Sequence, residues 1–465
     1  MMIAVVGSGG KTTLIRNLAA RYRREGKTVL ITATTHMFIE KDTLLTDDAG
    51  VIVQALKERG CVMAGVPDGE KIKALSGETL AAVRDCADVV LVEADGSRCL
   101  PLKYPNATEP VIPEHTDEII VVCGLNAIGQ KAKDVCHRLE LVKACLGIED
   151  HTIMEPVHIQ KLVTEGYLKP LRASFPKAKI SVSPRHDGSL YQRAIASLLQ
   201  NEQDVSMISR EWFCPQPKLI LCGGGHVSVE VAAIAHRLDF PVTVIDHRAA
   251  VVTPERFPTA ERICDCYENL GKYLEEDACY VVVTPDHKAD LQCVSTILPT
   301  RYRYLGMIGS RKKVASTMEN LKRAGFTQEQ TERIFTPIGL PIGAVTPAEI
   351  ALSILSQVVQ EKNKSHAASV PKALLEVKEP GMLCIVLEKH GSAPRGEGSM
   401  MFVGQDKVLG SIGGGEPEYL AMCHAKENPA FAIREYTLNN TASNGLDMIC
   451  GGRIKVLFVP VEERK

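Results

Sequence analysis

The chain has 465 residues, too many for one ordinary hydrophobic core, and at roughly 150 residues per domain it predicts about three domains. Hydrophobic residues make up 45% and charged residues 24%, without an apolar run long enough to span a bilayer, which argues against a membrane protein and against a disordered chain. The formal net charge of −2 argues against nucleic acid as a partner, because nucleic-acid-binding domains usually display a basic surface.

The first residues and the cysteines predict a cytoplasmic protein. An apolar segment follows Met1 directly, without the basic region and small-residue cleavage site of a secretory signal. The 15 cysteines include no CxxC pair, so in a reducing compartment most are expected to be buried thiols. Neither a disulfide framework nor a zinc site is predicted.

The first predicted strand, residues 3–6, runs into a glycine-rich loop and then into a helical pattern over residues 14–24. Successive N–H groups of such a loop wrap phosphate oxygens, a lysine adds positive charge, and a threonine hydroxyl suits Mg²⁺. The spacing is a shortened Walker A pattern, since valine stands at position 5 where the standard loop has glycine. We predict a site for ATP or GTP with Mg²⁺. The alternative is a glycine-rich loop that arose by chance and binds no nucleotide. The predicted binding residues are Gly7, Gly9, Gly10, Lys11, Thr12 and Thr13.

The third predicted strand, residues 87–92, ends in two carboxylates. Glu93 and Asp95 follow it, and open parallel sheets bind their ligands at the carboxyl ends of strands. Asp95 is predicted to hold the metal together with Thr12, as a Walker B acid does, and Glu93 to position a water. The alternative is that both are solvated loop acids.

Residues 218–248 predict strand, glycine turn, helix and strand, the opening unit of a dinucleotide-binding fold. Gly223 and Gly225 would let the backbone approach a pyrophosphate at the start of a helix, with His226 beside them. Asp246 lies 23 residues after Gly223, where an acid commonly binds a ribose hydroxyl. A serine replaces the third glycine of the pattern, so a nucleotide site, including one for NAD(P), and a structural turn stand as equal alternatives.

A helix start is predicted further along this region. Thr346 has the side chain of an N-cap, Pro347 suits the first helical position, and Glu349 completes a capping box. The pattern predicts a helix over residues 350–359 with a structural role.

Two polar stretches, residues 200–216 and 361–372, are predicted linkers. They divide the chain into three predicted domains. The predicted fold class is α/β, with a P-loop-like α/β domain over residues 1–208, a Rossmann-like parallel sheet domain over 214–362, and a smaller β-rich α+β domain over 372–465.

Several motifs in about the first 200 residues together resemble the YqeC family of selenium-dependent hydroxylase accessory proteins. They are GSGGKTT, TATTHM, VEADGSRCLPLK, EPVIP and Cys136-His137-Arg138. The resemblance implies a purine nucleotide in the glycine-rich loop. A Mur-ligase-type loop has the same short glycine spacing, which keeps an ATP-dependent ligase as a rival class.

Four later motifs closely resemble the Rossmann-like domain of the XdhC/CoxI maturation factors for xanthine and carbon monoxide dehydrogenases. They are CGGGHVSVEVA, VTVIDHR, LGMIGSRKK and PIGLPIGAVTPAEIALSI. The motifs at residues 390–396, 410–416 and 450–452 look like the other XdhC/CoxI domain. In the family that domain precedes the Rossmann-like one, so the order here is swapped.

With this resemblance, the last unit suits a molybdenum pterin cofactor as cargo. Such a cofactor carries phosphate and soft sulfur, and it needs N–H groups, a cation and a thiolate. Arg395 can pair with the phosphate, and Cys450 can bind metal or carry sulfur, which makes it a candidate catalytic residue. The N–H groups would come from Gly413, Gly414 and Gly415. The structural alternatives are a glycine bulge, a surface arginine and a buried thiol.

The two resemblances together imply a maturation factor for a molybdenum hydroxylase of the xanthine dehydrogenase class, of the selenium-dependent kind, with an ATPase or GTPase activity coupled to cofactor insertion. The implied partners are the hydroxylase apoenzyme, a cysteine desulfurase or selenium donor protein, and a second copy in a homo-oligomer, without nucleic acid or membrane. The alternative is a metabolic enzyme, either an ATP-dependent ligase built on the short loop or an NAD(P)-dependent oxidoreductase built on Asp246.

Overall fold

The computed structural model describes residues 1–208, 210–213, 216–364, 370–391, 395–437 and 452–462. Among these residues, no helix is both long enough and apolar enough to cross a bilayer. The contacts divide the chain into two compact units, one made of Met1–Arg210 with Glu376–Lys465 and the other of Glu211–Leu375. The predicted α/β class is confirmed, with one mostly parallel sheet, one parallel sheet and a C-terminal antiparallel sheet.

The first 208 residues form a mostly parallel sheet with helices between its strands. Its strands are β1 (Met2–Gly7), β2 (Val29–Ala33), β3 (Met37–Phe38), β4 (Leu44–Leu45), β5 (Cys61–Asp68), β6 (Lys71–Lys73), β7 (Val89–Glu93), β9 (Glu118–Gly124) and β11 (Lys179–Arg185). Two further short strands, β8 (Leu102–Lys103) and β10 (Cys136–His137), form a separate pair. The helices are α1 (Lys11–Arg24), α2 (Ala49–Arg59), α3 (Gly77–Arg84), α4 (Ala132–Val135), α5 (Leu139–Leu146), α6 (Pro156–Val163), α7 (Lys169–Ser174) and α8 (Leu190–Gln200).

The strand order in this sheet is β11-β9-β1-β7-β2-β5-β6-β3, with β4 beside β5. Every residue of β1, β2 and β7 is buried, which is typical of parallel strands covered on both faces. Strand β1 pairs in parallel with β7 and β9, so the carboxyl ends of these three strands meet at one edge. That edge carries the glycine-rich loop after β1 and the predicted acids at the end of β7.

The unit formed by Glu211–Leu375 is built on a five-stranded parallel sheet of order β14-β13-β12-β15-β16. Its strands are β12 (Leu219–Cys222), β13 (Val242–Ile245), β14 (Glu261–Ile263), β15 (Cys279–Val282) and β16 (Tyr304–Met307). Its helices are α9 (His226–Arg237), α10 (His287–Ile297), α11 (Arg311–Arg323), α12 (Gln328–Glu332), α13 (Pro347–Asn363) and α14 (Lys372–Leu375).

Both faces of this central sheet are packed. Leu219 and Leu221 of β12 belong to one apolar cluster, whereas the alternate residues Ile220 and Cys222 belong to another. The predicted capping box at α13 is confirmed, because the Thr346 and Glu349 side chains each accept the other residue's backbone N–H.

The C-terminal part of the first unit is an antiparallel sheet of order β19-β18-β17-β21-β20. Its elements are β17 (Gly381–His390), β18 (Met400–Val403), β19 (Val408–Gly410), α15 (Gly415–Glu427), β20 (Ala432–Thr437) and β21 (Arg453–Val461). Helix α15 buries Ala421 in the same apolar cluster as Phe458 of β21.

One buried arginine joins this C-terminal sheet to the first module. Arg193 of α8 is 3% exposed, and its guanidinium donates to the carbonyl oxygens of Val377 at 3.0 Å, Glu379 at 2.7 Å and Glu462 at 2.9 Å. A planar guanidinium can satisfy several acceptors at once, which suits it to this position. The first module and the C-terminal sheet therefore pack as parts of one unit.

Candidate functional site

The glycine-rich loop lies between β1 and α1, and close contacts demand glycine there. Gly7 and Gly9 have φ angles of +91° and +81°. A Cβ at Gly7 would lie 2.1 Å from the Val122 carbonyl oxygen, and one at Gly9 would lie 2.7 Å from the Gly124 nitrogen. Any side chain here would push the loop away from β9, so the two glycines allow the loop to close over the strand end.

Two side chains at the start of α1 face the acids at the end of β7. Lys11 is 4% exposed, and its ammonium donates to the Gly7 carbonyl oxygen at 2.8 Å and pairs with Asp95 at 3.3 Å. The Thr12 hydroxyl donates to the Glu93 carboxylate at 3.0 Å. The loop and the acids, which are distant in sequence, therefore form one cluster.

Asp95 fixes the glycine-rich loop through a hydrogen bond and an ion pair. It is fully buried and accepts the Gly7 N–H at 3.0 Å and the Tyr167 hydroxyl at 3.1 Å. It also pairs with two ammonium groups, those of Lys11 and Lys103, each at 3.3 Å. Burial and the neighbouring Asp95 carboxylate raise the pKa of Tyr167 well above its ordinary value, so the phenol stays a hydrogen-bond donor.

Glu93 occupies a different environment from Asp95. It is 7% exposed, and burial raises its pKa above the ordinary value although Lys11 and the Thr12 hydrogen bond act to lower it. A carboxyl group in this state can take or release a proton nearer to neutral pH than a solvated glutamate. Of the two predicted acids, Glu93 is the one that contacts Thr12.

A cavity of about 1120 Å³ opens over this cluster. Its floor includes the loop and Glu93, and polar and charged groups from several other segments line it. The volume lies slightly above the range usual for small-molecule sites. The lining also includes His36, Asp68, Lys71, Arg98 and Arg138. Of the predicted residues, the structure brings Gly9, Gly10, Lys11, Thr12, Thr13 and Glu93 to this cavity.

The predicted dinucleotide turn after β12 has the expected backbone but its acid is engaged. Gly223 has φ +111°, and a Cβ there would lie 2.5 Å from the Val283 carbonyl oxygen. Asp246 is fully buried, and it accepts the Gly224 N–H at 2.8 Å and the Arg248 guanidinium at 2.7 and 2.9 Å. Burial alone would raise the pKa of Asp246, but the hydrogen bonds from Arg248 and Gly224 lower it to about 2.

Gly225 and His226 lie where the helix begins. Gly225 is the N-cap of α9, and His226 is its first residue and is exposed. A ribose hydroxyl would have to displace Arg248 or the Gly224 N–H to reach Asp246. The structure thus places the four predicted residues together, with the acid already bound by the chain itself.

The glycine run before α15 also binds an internal carboxylate. Gly413, Gly414 and Gly415 have φ angles of +136°, +72° and +71°. The N–H groups of Gly413 and Gly414 donate to Glu418 at 3.2 and 3.0 Å, as does that of Ile412 at 2.8 Å. The geometry is that of an anion nest, and the anion is Glu418.

Arg395 and Cys450 are the other two residues predicted to bind the cofactor in this region. Arg395 is exposed. Cys450 lies outside the described residues.

The sequence did not assign roles to two residues that organise the cavity. Lys103 lies inside a quoted motif and is fully buried between Asp95 and Glu109. The apolar residues that precede Lys103 in the sequence were the available signal that this lysine is buried. Tyr167 lies in a π-helical turn between α6 and α7, far along the chain from Asp95, and nothing local marked it.

The comparisons with known proteins agree with the motifs. Residues 3–140 match the YqeC protein family, residues 219–358 the XdhC Rossmann domain, and residues 374–435 the XdhC and CoxI family. The chain is therefore a fusion of a YqeC module with XdhC/CoxI modules, as the sequence predicted.

Among individual relatives, the chain is similar to two uncharacterized proteins of Escherichia coli (strain K12). YqeB is 30% identical over 161 residues, which are 34% of this chain and 29% of YqeB. YqeC is 36% identical over 138 residues, which are 28% of this chain and 54% of YqeC. A probable xanthine dehydrogenase component from Bacillus subtilis (strain 168) is 29% identical over 154 residues, 32% of this chain and 44% of that protein. The chain thus spans about half or less of the length of each relative.

Proposed function

We propose that this chain is a maturation factor for a molybdenum hydroxylase of the xanthine dehydrogenase class and that its YqeC module binds and hydrolyses ATP or GTP with Mg²⁺. The nucleotide proposal is carried by one observation, the paired contacts of Lys11 with Asp95 and of Thr12 with Glu93 at the floor of the cavity. A glycine-rich loop with a lysine and oxygen ligands for Mg²⁺ is the arrangement that a nucleoside triphosphate requires.

The residues present fit the metal. Mg²⁺ prefers oxygen ligands, and Thr12 and Glu93 offer a hydroxyl and a carboxylate oxygen 3.0 Å apart. We assign Glu93 to the metal in place of Asp95, because Glu93 lines the cavity and contacts Thr12, whereas Asp95 is fully buried and does not line the cavity. Asp95 is then a positioning residue that fixes Lys11 and Gly7.

This chain's residues divide the work of binding. Lys11 would transfer its ammonium from the Gly7 carbonyl oxygen to a phosphate oxygen, while its ion pair with Asp95 holds the side chain in place. The loop N–H groups would bind the remaining phosphate oxygens. When bound, Mg²⁺ neutralises charge on the phosphates.

The maturation proposal is supported by the XdhC/CoxI modules and by the similarity to a probable xanthine dehydrogenase component. The proposed partner is the hydroxylase apoenzyme, and the proposed cargo is its molybdenum pterin cofactor. Gly413 and Gly414 could bind the cofactor phosphate only after Glu418 leaves their N–H groups. Selenium as the transferred atom, Cys450 as its carrier, and a cysteine desulfurase or selenium donor as its source rest on the resemblance.

Nucleotide binding is tested by calorimetric titration of the full chain with non-hydrolysable ATP and GTP analogues, with and without Mg²⁺. We expect binding that requires Mg²⁺ and that falls by at least about tenfold in Lys11→Ala, since a charged hydrogen bond is lost. Lys177→Ala, an exposed lysine outside the cavity lining, is the matched control. Equal isotherms for wild type and Lys11→Ala would exclude the loop as the nucleotide site.

Maturation is tested by native mass spectrometry of the protein purified from its own host with the hydroxylase apoenzyme present. We expect a mass increment for the pterin cofactor on this chain. Full activation of the hydroxylase in a host lacking this chain would contradict the proposal.

A further inference from the structure

Parts of three motifs that resemble YqeC have no role in the proposed nucleotide site, yet they meet at one wall of the cavity. They are RCLPLK, the second half of VEADGSRCLPLK, with EPVIP and Cys136-His137-Arg138. Strand β8 of the motif RCLPLK pairs in parallel with β10 of Cys136-His137-Arg138, which sets His137 opposite Lys103. Glu109 of the motif EPVIP forms ion pairs with Lys103 of β8 and with Arg138, the residue that follows β10. Segments that are more than 30 residues apart in sequence are brought to the same place.

Ion pairs connect this wall to the glycine-rich loop. The Glu109 carboxylate pairs with the Lys103 ammonium at 2.5 Å and with the Arg138 guanidinium at 2.9 Å. Lys103 is fully buried and pairs in turn with Asp95 at 3.3 Å, and Asp95 pairs with Lys11 at 3.3 Å. Charges of alternating sign thus run from Lys11 at one end to Arg138 at the other.

The wall carries more positive than negative charge. Arg98 and Arg138 both line the cavity together with His137, and among the described residues Glu109 is the acid that forms an ion pair with Arg138. Burial lowers the pKa of His137, and Arg138, Lys103 and Arg98 lower it further, which indicates a positive potential at this wall. One guanidinium nitrogen of Arg138, Nη1, has no hydrogen-bond partner among the described residues, so the arginine has bonding capacity left.

The backbone of the wall is held in an uncommon conformation. Arg98, Cys99 and Arg138 have φ angles of +48°, +63° and +59°, in the left-handed region that residues other than glycine seldom adopt. Such conformations persist where surrounding contacts enforce them, and they cluster at ligand sites. Here they present two arginines to the same cavity.

We propose that Arg98, His137 and Arg138 form a second anion subsite, which binds the phosphate or carboxylate group of a second ligand while the nucleotide occupies the loop. The proposal rests on the proposed nucleotide function, because the two ligands share one cavity. The cavity of about 1120 Å³ exceeds the usual range for a single small ligand, which leaves room for both. The line of ion pairs couples the two subsites, since an anion at either end competes for the cations that the buried acids hold.

The test uses inorganic phosphate, and malonate in a parallel arm, titrated calorimetrically into the full chain. One sample is saturated with a non-hydrolysable nucleotide and Mg²⁺, and the other is nucleotide-free Lys11→Ala. We expect at least one of the two anions to bind both samples. The anion that binds more tightly, phosphate or malonate, identifies whether the subsite prefers a phosphate or a carboxylate group. Binding that disappears in the nucleotide-saturated sample would overturn the proposal, because the wall would then serve the nucleotide's own phosphates.

Arg98→Gln is the informative variant because Arg98 is exposed and lies outside the line of ion pairs. We expect it to weaken anion binding by about tenfold, and Arg98→Gln with Arg138→Gln to weaken it further. Arg59→Gln, an exposed arginine outside the cavity lining, should leave anion affinity unchanged. An unchanged anion affinity in Arg98→Gln and in the double variant, with thermal unfolding like wild type, would exclude the subsite.

Failure of the nucleotide proposal is distinguishable from failure of this one. In one case, the nucleotide analogue does not bind wild type, but phosphate binds Lys11→Ala and Arg98→Gln weakens the affinity for phosphate. The anion subsite then stands, and the assignment of the loop to the nucleotide falls. If the analogue binds and phosphate binds neither sample, the loop assignment stands and the subsite falls.

Discussion

The Thr12 hydroxyl donates to the Glu93 carboxylate over 3.0 Å, across 81 residues of sequence. The contact joins the first turn of α1 to the end of the adjacent strand β7. It places a hydroxyl and a carboxylate oxygen side by side, which is the basis of the proposed metal site. This contact, and the engagement of Asp95 elsewhere, lead to the first prediction.

Glu93→Gln should weaken the Mg²⁺-dependent part of nucleotide affinity by at least about tenfold, since loss of even an outer-shell partner of a metal site costs about 10- to 100-fold. The measurement is a calorimetric titration with and without Mg²⁺. Glu58→Gln, an exposed glutamate of α2, is the control and should behave as wild type. Loss of affinity that is the same without Mg²⁺ would mean that Glu93 does not act through the metal.

Asp246→Asn should destabilise the central unit by about 1–3 kcal/mol, because the buried Gly224 N–H and the Arg248 guanidinium lose a charged acceptor. Urea denaturation of the full chain measures the change. Asp277→Asn, an exposed partner of Arg301, should change stability by well under that amount. A variant as stable as wild type would show that the carboxylate charge contributes little.

The same residue predicts a pH dependence. The pKa of Asp246 is lowered from 3.8 to about 2 in the folded chain, so the folded state binds fewer protons than the unfolded state in that window. Its stabilising contribution is fully present above the ordinary value and is lost as pH falls towards about 2. Denaturation at several pH values should therefore show the difference between wild type and Asp246→Asn shrinking in that window, and a constant difference would contradict the assignment.

Glu418→Ala should expose the N–H groups of residues 412–414 and allow inorganic phosphate to bind there, since an anion nest retains its shape when glycines set it. Equilibrium dialysis with labelled phosphate measures the gain. Glu416→Ala is the matched control, because Glu416 is exposed in the same first turn of α15. Absence of any gain would indicate that the nest needs Glu418 to keep its conformation.

Arg193→Lys should separate the unfolding of the first module from that of the C-terminal sheet. A single ammonium cannot reach the three carbonyl oxygens that the guanidinium now joins, so at least about 2 kcal/mol of coupling is lost. Scanning calorimetry should show one more transition for the variant than for wild type. Arg172→Lys, at an exposed position of α7, should keep the wild-type profile.

Much of the fold was predictable because local patterns carried it. The glycine-rich loop, the apolar runs of β1, β7 and β12, and the capping box at Thr346 follow from residue spacing and backbone preference over a few residues. Which of the two acids serves a metal stays a prediction, because it depends on side-chain direction and sequence order does not specify that. Glu93 and Asp95 are two residues apart, and the structure gives them different neighbours.

The chain's own amino-acid order determined the glycine-rich loops, the apolar strand segments and the capping box before α13, because each depends on residue spacing within a short segment. Only the tertiary structure decided which polar groups are already satisfied. Asp246 is held by Arg248 and the nest before α15 by Glu418, whereas the cavity beside Lys11 retains Thr12 and Glu93 as a pair. The physical reason is that hydrogen bonds and ion pairs between distant segments depend on how the strands are ordered in the sheet.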